Sequence, residues 1–340
     1  MSGSDFQPTR RALLAAGIGA GAMVAGAGAV TAVEPNAAPT FRTQEYWARK
    51  GEVSLYVYRK YADIQVLNLA GARPVLFLVH GSSISGRSSF DLTVPGAGEY
   101  SMMNVFAGLG YDTWTMDFEG YGRSSRTAGN SDIASGVEDL KAATEIVTRE
   151  TGQTKLHFFG ESSGALRAGA FAMARPDRVD RLILEAFTYT GQGSPTLGKR
   201  AEQVEYFKTH NTRKRDRDLI RSIFTRDKPG TSDPRVADAL ADVELPMGDT
   251  VPTGTYLDMT AHLPVVDPLR VKAPVMIVRG EHDGIASLED LLDFYDKLPN
   301  PDRQFVQLAG AAHALTLGIN RAQLWHVVHG FLSLPPRLDV

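Results

Sequence analysis

The chain has 340 residues, of which 43% are apolar and 22% are charged, fractions that are ordinary for a globular protein. The formal net charge of −3 is small and gives no indication of a nucleic-acid partner. The absence of cysteine excludes thiol nucleophiles, thiolate metal sites and disulfide bonds.

Residues 1–32 are predicted to be an export signal rather than part of the fold. Arg10 and Arg11 precede an uncharged run rich in Ala, Gly and Val at residues 12–33. Small residues at 30–32 suit a signal peptidase. The pattern resembles a twin-arginine signal and predicts a periplasmic or secreted protein, with a disordered tail or an uncleaved anchor as alternatives. Because Ala and Gly contribute little transfer energy, a permanent anchor is the less favoured alternative. After signal removal we expect no stable membrane insertion. If the signal is not used, the protein stays in the cytoplasm.

After a linker at residues 33–52, apolar strand-like runs alternate with helical patterns, which predicts an α/β fold with a mainly parallel sheet. The predicted strands lie at residues 53–61, 74–79, 111–116, 155–159, 181–186, 274–279 and 304–308. The predicted helices lie at residues 99–109, 137–149, 163–174, 288–298 and 322–332. Residues 53–186 and 266–340 therefore make up the predicted core.

The alternation stops at residues 187–265, where helical runs and turn-rich pieces replace any clear strand. An insertion here leaves the sheet at the edge where ligands bind in open α/β folds. We therefore predict a helical cap whose apolar residues cover the mouth of a pocket, namely Tyr206, Phe207, Ile220, Phe224, Tyr256, Leu257 and Met259. The basic residues from Lys199 to Lys228 alternate with acidic ones, which favours a solvated helix face over an anion site.

The motif Gly-Glu-Ser-Ser-Gly at residues 160–164 follows a predicted strand and opens a predicted helix. A sharp turn of this type strains the serine backbone and leaves the hydroxyl exposed. The N-terminus of the next helix adds free amides and a positive dipole where negative charge develops. The motif therefore predicts Ser162 as a nucleophile.

Two more motifs precede this serine, His-Gly-Ser-Ser at residues 80–83 and Asp-Phe-Glu-Gly-Tyr-Gly-Arg-Ser at residues 117–124. In this order the motifs resemble the α/β-hydrolase superfamily, over roughly residues 53–187 and from residue 267 onward. The resemblance implies an α/β-hydrolase fold: a mainly parallel central sheet flanked by helices, with an inserted helical cap. It also implies that the amides of Ser82 and Ser163 form an oxyanion hole, with Ser83 as the less favoured donor.

Two later turns supply the partners that a nucleophilic serine needs. Gly-Glu-His-Asp-Gly at residues 280–284 resembles the family's acid-bearing turn and assigns Asp283, with Glu185 at the end of an earlier strand as the alternative acid. Gly-Ala-Ala-His at residues 310–313 resembles the turn that presents the catalytic His313. The order serine, aspartate, histidine is the one expected of this fold.

These residues predict hydrolysis of a small-molecule carboxylic ester through an acyl-enzyme, with no cofactor. One alternative is hydrolysis of an activated carbon–carbon bond or an amide by the same residues, and another is a non-catalytic binding protein of this fold. No metal site is expected, because cysteine and a His-Glu-x-x-His motif are absent and the histidines are scattered. The sequence identifies neither the substrate nor the oligomeric state.

Overall fold

The computed structural model describes residues 40–63, 72–335 and 337–338. The predicted export signal at residues 1–32 and the first part of the predicted linker lie outside them. Within the described part of the chain, no helix is both long and apolar enough to cross a membrane.

The strands in chain order are β1 (Phe41–Lys50), β2 (Val53–Ala62), β3 (Val75–Val79), β4 (Asp112–Met116), β5 (Leu156–Glu161), β6 (Val179–Glu185), β7 (Thr212–Lys214), β8 (Thr250–Pro252), β9 (Val275–Gly280) and β10 (Arg303–Leu308). Eight of them form one sheet in the order β1-β2-β4-β3-β5-β6-β9-β10. The pairs β1/β2 and β2/β4 are antiparallel, and every other pair in this sheet is parallel. The prediction of a mainly parallel sheet is therefore confirmed.

The helices in chain order are α1 (Gly86–Phe90), α2 (Met102–Gly108), α3 (Ile133–Thr151), α4 (Ser163–Ala174), α5 (Pro195–Ala201), α6 (Val204–Thr209), α7 (Arg217–Thr225), α8 (Pro234–Glu244), α9 (Gly254–Ala261), α10 (Leu288–Lys297) and α11 (Arg321–Leu332).

Strand β3 shows how the sheet is buried on both faces, since all five of its side chains are at most 1% exposed. Successive side chains of a strand point to opposite faces. Val75, Phe77 and Val79 accordingly join an apolar cluster with α3, α4 and α10. Leu76 and Leu78 join a second cluster with α2 and α11. This two-sided burial explains why the run is continuously apolar.

The assignment of residues 33–52 to a linker is wrong for β1. This strand pairs along its whole length with β2, from Phe41 opposite Ala62 to Lys50 opposite Val53. It lies at the sheet edge, where only Ala48 of its ten residues is buried. An edge strand exposes most of its side chains, so it lacks the apolar run by which the interior strands were predicted.

The stretch between β6 and β9, residues 186–274, is called the helical segment below. It holds α5 to α9 and also the short strands β7 and β8, which the sequence did not predict and which pair with each other. Apolar residues of α7 and α8 pack on the loop after α1, forming a third cluster that includes Ile220, Phe224, Val236, Leu240, Leu92, Val94 and Tyr100. This packing fixes the segment beside the loop that follows β3.

Candidate active site

Ser162 lies at the turn between β5 and α4, and its backbone has φ 57° and ψ −122°. A positive φ is costly for a residue with a side chain, and such strain persists only where the surroundings enforce it. A Cβ on Gly160 would lie 2.6 Å from the Ala165 Cα, and one on Gly164 would lie 2.2 Å from the Val79 carbonyl oxygen. The two glycines are therefore required by the close approach of backbone around the turn.

The structure brings Ser162, His313 and Asp283 together. The Ser162 Oγ lies 3.0 Å from the His313 Nε2, and the His313 Nδ1 lies 2.9 Å from the Asp283 Oδ1. Because the Asp283 carboxylate can only accept, it receives the Nδ1 proton, which leaves Nε2 free to accept from the serine hydroxyl. The arrangement can therefore remove a proton from Ser162 and pass it on.

Asp283 is 3% exposed, and its Oδ1 faces His313. Burial opposes its ionisation, but the charge of His313 and the hydrogen bond from His313 outweigh this effect and lower the pKa of Asp283. The backbone N–H of Ile285 donates to the same oxygen at 2.9 Å. Asp283 is thus held as an anion that orients the imidazole.

Glu185, the alternative acid, is not bonded to His313. Its side chain is fully buried, and within the described residues neither carboxyl oxygen has a hydrogen-bond partner. Burial, with the nearby carboxyls of Glu161 and Asp283, raises the pKa of Glu185 well above its ordinary value. A neutral carboxyl in this position cannot serve as the anionic partner of a histidine, so the geometry favours Asp283.

The predicted oxyanion loop lies directly beside the turn that holds the serine. The Ser82 hydroxyl donates to the Ser163 Oγ at 2.7 Å and accepts from the Thr255 hydroxyl at 2.9 Å. The Tyr121 hydroxyl donates to the Ser82 carbonyl at 2.9 Å. Ser163 opens helix α4, where the first amides have no partner inside the helix. Ser82 and Ser163 are therefore adjacent, as an oxyanion hole requires.

His80 and Asp117 support the site without reaching Ser162. The Phe118 N–H donates to the His80 Nε2 at 3.2 Å, and the His80 Nδ1 lies 2.8 Å from the Gly81 carbonyl. Burial lowers the pKa of His80 to about 3, so this ring is neutral. Asp117 accepts from the amides of Gly86 and Arg123, both at 2.9 Å, and burial raises its pKa to about 7.

A cavity of about 40 Å³ opens above Ser162 and His313. The helical segment contributes four of its lining residues, Arg200, Ile223, Phe224 and Arg226. Of the apolar residues that the sequence indicated for this role, Phe224 lines the cavity, whereas Tyr256 and Met259 do not. The Tyr256 hydroxyl bonds to the Ser83 Oγ at 2.7 Å, and Met259 lines a separate surface cavity near Leu197. The apolar pattern therefore identified buried positions and one residue of the cavity wall.

Sequence reasoning missed three charged side chains at the site. Glu161 precedes the nucleophile, lines the cavity and accepts from the Thr316 hydroxyl at 2.6 Å; burial raises its pKa. The second missed residue is Asp227, which lies near Asp283 and His313. Among the described residues, these three form the one group of acidic or histidine side chains whose potential ligand atoms all lie within 4.8 Å of one another. The third, Arg200, comes from the basic stretch that the sequence placed on a solvated face. For Glu161, its position inside the serine motif was an available signal.

The sheet order, the strained serine and the group around His313 define an α/β-hydrolase. The sequence pattern of the serine aminopeptidase S33 family (Hydrolase_4) matches residues 95–318. The chain therefore belongs to this family and is a hydrolase, and the prediction of an α/β-hydrolase fold with a mainly parallel sheet is confirmed.

One curated relative is the 2-hydroxy-6-oxononadienedioate/2-hydroxy-6-oxononatrienedioate hydrolase of Paraburkholderia phymatum, which is 31% identical over 129 residues. This match covers 36% of the chain and 38% of the relative, so the chain spans less than half of that protein's length.

Similar solved structures share the fold at low sequence identity. The 2-hydroxy-6-oxo-6-phenylhexa-2,4-dienoate hydrolase of Rhodococcus sp. strain RHA1 has a TM-score of 0.60 at 17% identity, covering 86% of this chain and all (100%) of that one. A carboxylesterase of Bacillus subtilis has a TM-score of 0.58 at 18% identity, covering 86% of this chain and 92% of that one. A bromoperoxidase of Bacillus anthracis has a TM-score of 0.61 at 16% identity, covering 86% and 100% of the two chains.

Proposed function

We propose that the protein hydrolyses a small carboxylic ester, with Ser162 as nucleophile, His313 as base and Asp283 as the orienting acid. The observation that carries the proposal is the unbroken contact from Ser162 through His313 to Asp283, at 3.0 and 2.9 Å. A nucleophile, a base within hydrogen-bond reach and a buried acid that orients the base are the parts that acyl transfer needs.

In the first step, the His313 Nε2 takes the hydroxyl proton as the Ser162 Oγ bonds to the carbonyl carbon of the ester. The carbonyl oxygen becomes an oxyanion, which the backbone amides of Ser82 and Ser163 stabilise. The imidazolium is stabilised by Asp283, whose lowered pKa keeps it ionised. When the tetrahedral intermediate collapses, the bond to the alcohol oxygen breaks and the alcohol takes the proton from His313.

In the second step, a water molecule gives a proton to His313 and attacks the acyl-enzyme carbonyl. The same two amides hold the second oxyanion. Collapse breaks the bond to Ser162, which recovers its proton from His313, and the carboxylic acid leaves. Every proton in this cycle passes through one nitrogen, so no metal or cofactor is invoked.

A second candidate is hydrolysis of an activated carbon–carbon bond. The observation that favours it is the 31% identity to the Paraburkholderia phymatum hydrolase, whose name states a dienedioate substrate. In that case Ser162 attacks a ketone carbonyl, and the carbon–carbon bond breaks with protonation of the departing carbon. The same residues take part, so the two candidates differ only in the leaving group.

Labelling with a fluorophosphonate, followed by peptide mass spectrometry, tests the proposal. We expect covalent modification of Ser162 in the wild-type protein, hydrolysis of methyl acetate in a pH-stat, and loss of both in the Ser162→Ala variant. Absence of labelling and of hydrolysis across short-chain esters would refute ester hydrolysis by this serine. Faster turnover of a 2-hydroxy-6-oxo-dienoate than of any ester would instead favour the second candidate.

We also propose that the protein is exported and that its mature chain begins near Val33. The support is the paired Arg10 and Arg11 before the uncharged Ala/Gly run. Intact-mass measurement on periplasmic and cytoplasmic fractions tests this, and a full-length chain confined to the cytoplasm would contradict it.

A further inference from the structure

Arg200 brings a positive charge to the cavity and forms no ion pair with a described side chain. It lines the cavity together with Ser162 and His313. Within the described residues it forms no ion pair, and its one hydrogen-bond-like contact is to the Met259 Sδ at 3.9 Å. The guanidinium also lies 5.1 Å from the centre of the Tyr256 ring. A guanidinium has five N–H donors, so most of its hydrogen-bonding capacity is unused by the protein.

Arg226 adds a second positive charge to the same wall. Its Nε lies 3.4 Å from the Asp227 Oδ1, and its side chain remains 25% exposed. Burial, with a smaller contribution from Arg226, lowers the pKa of Arg200 to about 10, so Arg200 stays charged at neutral pH. Asp227 offsets the charge of Arg226, with which it pairs, and offsets that of Arg200 only from a greater distance, without an ion pair.

Glu161 supplies the opposing charge among the residues that line the cavity. It lies next to Ser162 in the chain and bonds to the Thr316 hydroxyl, whereas both arginines come from the helical segment. It forms no ion pair with either arginine within the described residues. Arg200, which unlike Arg226 has no ion-pair partner among the described residues, therefore remains available to a ligand.

The chemistry of Arg200 limits what this anion can be. A planar guanidinium presents paired N–H donors, and the two oxygens of a carboxylate match them. Ser162 and His313 line the same cavity, so a carboxylate bound by Arg200 lies close to the reacting carbonyl.

We propose that the substrate carries a carboxylate close to its scissile carbonyl, and that Arg200, assisted by Arg226, binds this carboxylate. The proposal rests on the proposed function and narrows its substrate class to small acid esters. Arg200 is here a binding residue that selects the substrate, while the proton transfers stay with His313.

A matched pair of esters tests the proposal. Monomethyl succinate carries the carboxylate, and methyl 4-methylpentanoate replaces it with an uncharged group of the same shape. We expect the wild-type kcat/KM to favour monomethyl succinate by at least about tenfold, since a hydrogen bond to a charged group contributes that much or more. In the Arg200→Gln variant this preference should disappear, mainly through a higher KM for the charged ester.

Arg213→Gln is the matched control. The Arg213 guanidinium lies 4.9 Å from the centre of the same Tyr256 ring, but Arg213 does not line the cavity. We expect this variant to keep the preference for monomethyl succinate. An equal loss in both variants would assign the effect to general surface charge and would overturn the proposal.

The failure of this proposal is distinguishable from failure of the proposed function. Hydrolysis of both esters through Ser162 with no preference, or with a preference unchanged in Arg200→Gln, would overturn the carboxylate site and leave the esterase intact. Turnover of neither ester, together with no fluorophosphonate labelling, would refute the proposed function and the carboxylate site with it.

Discussion

The sheet edge and the helical segment line one cavity, but they hold their side chains by different means. Ser162, Asp283 and His313 each follow a strand of the parallel sheet, so the hydrogen bonds between β5, β6, β9 and β10 set their spacing. Ile223 stands on the short helix α7, which side-chain packing positions. Arg200 stands on α5, which is also hydrogen-bonded to the turn of Asp283, since the Thr196 amide and the Ser194 hydroxyl donate to the Gly284 carbonyl at 3.1 and 2.9 Å. Substitutions at Ile223 should therefore disturb the reacting groups less than substitutions in the turns that follow the strands.

The strongest way to break this comparison is to remove the nucleophile. We expect Ser162→Ala to lower kcat by about 10⁶-fold, because the nucleophile and its base act as a unit and removing one of them removes nearly all of the effect. The melting temperature should change little, since alanine keeps the Cβ and only the contact of the Ser162 Oγ with His313 is lost. Ester hydrolysis and circular dichroism melting measure the two effects.

Ser163→Ala is the matched control from the same motif. It removes the hydroxyl that accepts from Ser82 but keeps the backbone amide assigned to the oxyanion hole. Loss of one neutral hydrogen bond should lower kcat by no more than about tenfold. If Ser163→Ala were as inactive as Ser162→Ala, the division of roles within the motif would be wrong.

The two candidate acids offer a second test at the sheet edge. We expect Asp283→Asn to lower kcat by about 10⁴-fold, because an amide cannot hold the histidine in the correct tautomer. Glu185→Gln should have little effect on kcat, since Glu185 does not contact His313. Steady-state kinetics on both variants decides between them, and the reverse pattern would transfer the role to Glu185.

The same Glu185→Gln variant has a pH signature in stability. The folded protein keeps a proton on Glu185 that the unfolded chain loses above its ordinary pKa, because burial raises the folded value. Stability from this group is therefore present at low pH and declines as pH rises toward the folded pKa. We expect the melting temperature of Glu185→Gln, minus that of the wild type measured at the same pH, to be larger at pH 9 than at pH 5. A pH-independent difference in melting temperature would contradict the raised pKa.

The anchor of the helical segment is tested through Arg215 and Glu244. Both are almost fully buried and paired, and they also bond to the loop after β3: Arg215 donates to the Ser83 carbonyl at 2.8 Å, and the Ser85 amide donates to Glu244 at 3.0 Å. We expect Arg215→Met to lower the free energy of unfolding by about 3–5 kcal/mol, because it leaves a buried charge unpaired. Urea denaturation measures this.

The double variant Arg215→Met/Glu244→Leu tests whether the loss of stability in Arg215→Met comes from the unpaired charge of Glu244. Removing both charges should recover part of the lost stability, since no unpaired charge remains. If the double variant were less stable than Arg215→Met alone, Glu244 would be stabilising by itself and the pair would not be the anchor.

The last prediction concerns Ile223, a residue of the helical segment that we expect to influence substrate preference. Ile223 is partly buried and lines the cavity, so Ile223→Ala widens the space above Ser162. We expect the kcat/KM ratio of methyl butanoate to methyl acetate to rise by about tenfold, which is typical of a change in hydrophobic pocket size. An equal fall for both esters would show that α7 takes part in the chemical step.

The sheet and its turns were predictable because their signals are local. A continuous apolar run marks a strand buried on two faces, as in β3, and a glycine-flanked serine after such a run marks the strained turn. Asp283 and His313 were predicted because the turns that carry them resemble the corresponding turns of the α/β-hydrolase superfamily. The structure brings these three residues together at hydrogen-bond distances.

The cavity wall was not predictable because its signals are not local. Arg200 and Lys199 are neighbours in a basic stretch, and only tertiary packing decides that Arg200 lines the cavity. Strand β1 escaped prediction for a related reason: its pairing partner, not its own side chains, makes it a strand. Sequence patterns report burial and periodicity, whereas the identity of a neighbour across the fold depends on packing.

The hydrogen-bonded hydroxyls of Thr255, Ser82 and Ser163 limit which positions of this protein can be varied to change its substrate. Each hydroxyl is buried, and together they connect α9 to the turn that holds the nucleophile. A library that varies Thr255 must fit each new side chain into a fully buried position beside Ser82, so its larger members should lose activity. Libraries at Ile223 change the wall alone. New substrate ranges, whether selected in the laboratory or in evolution, should accordingly arise through α7 far more often than through α9.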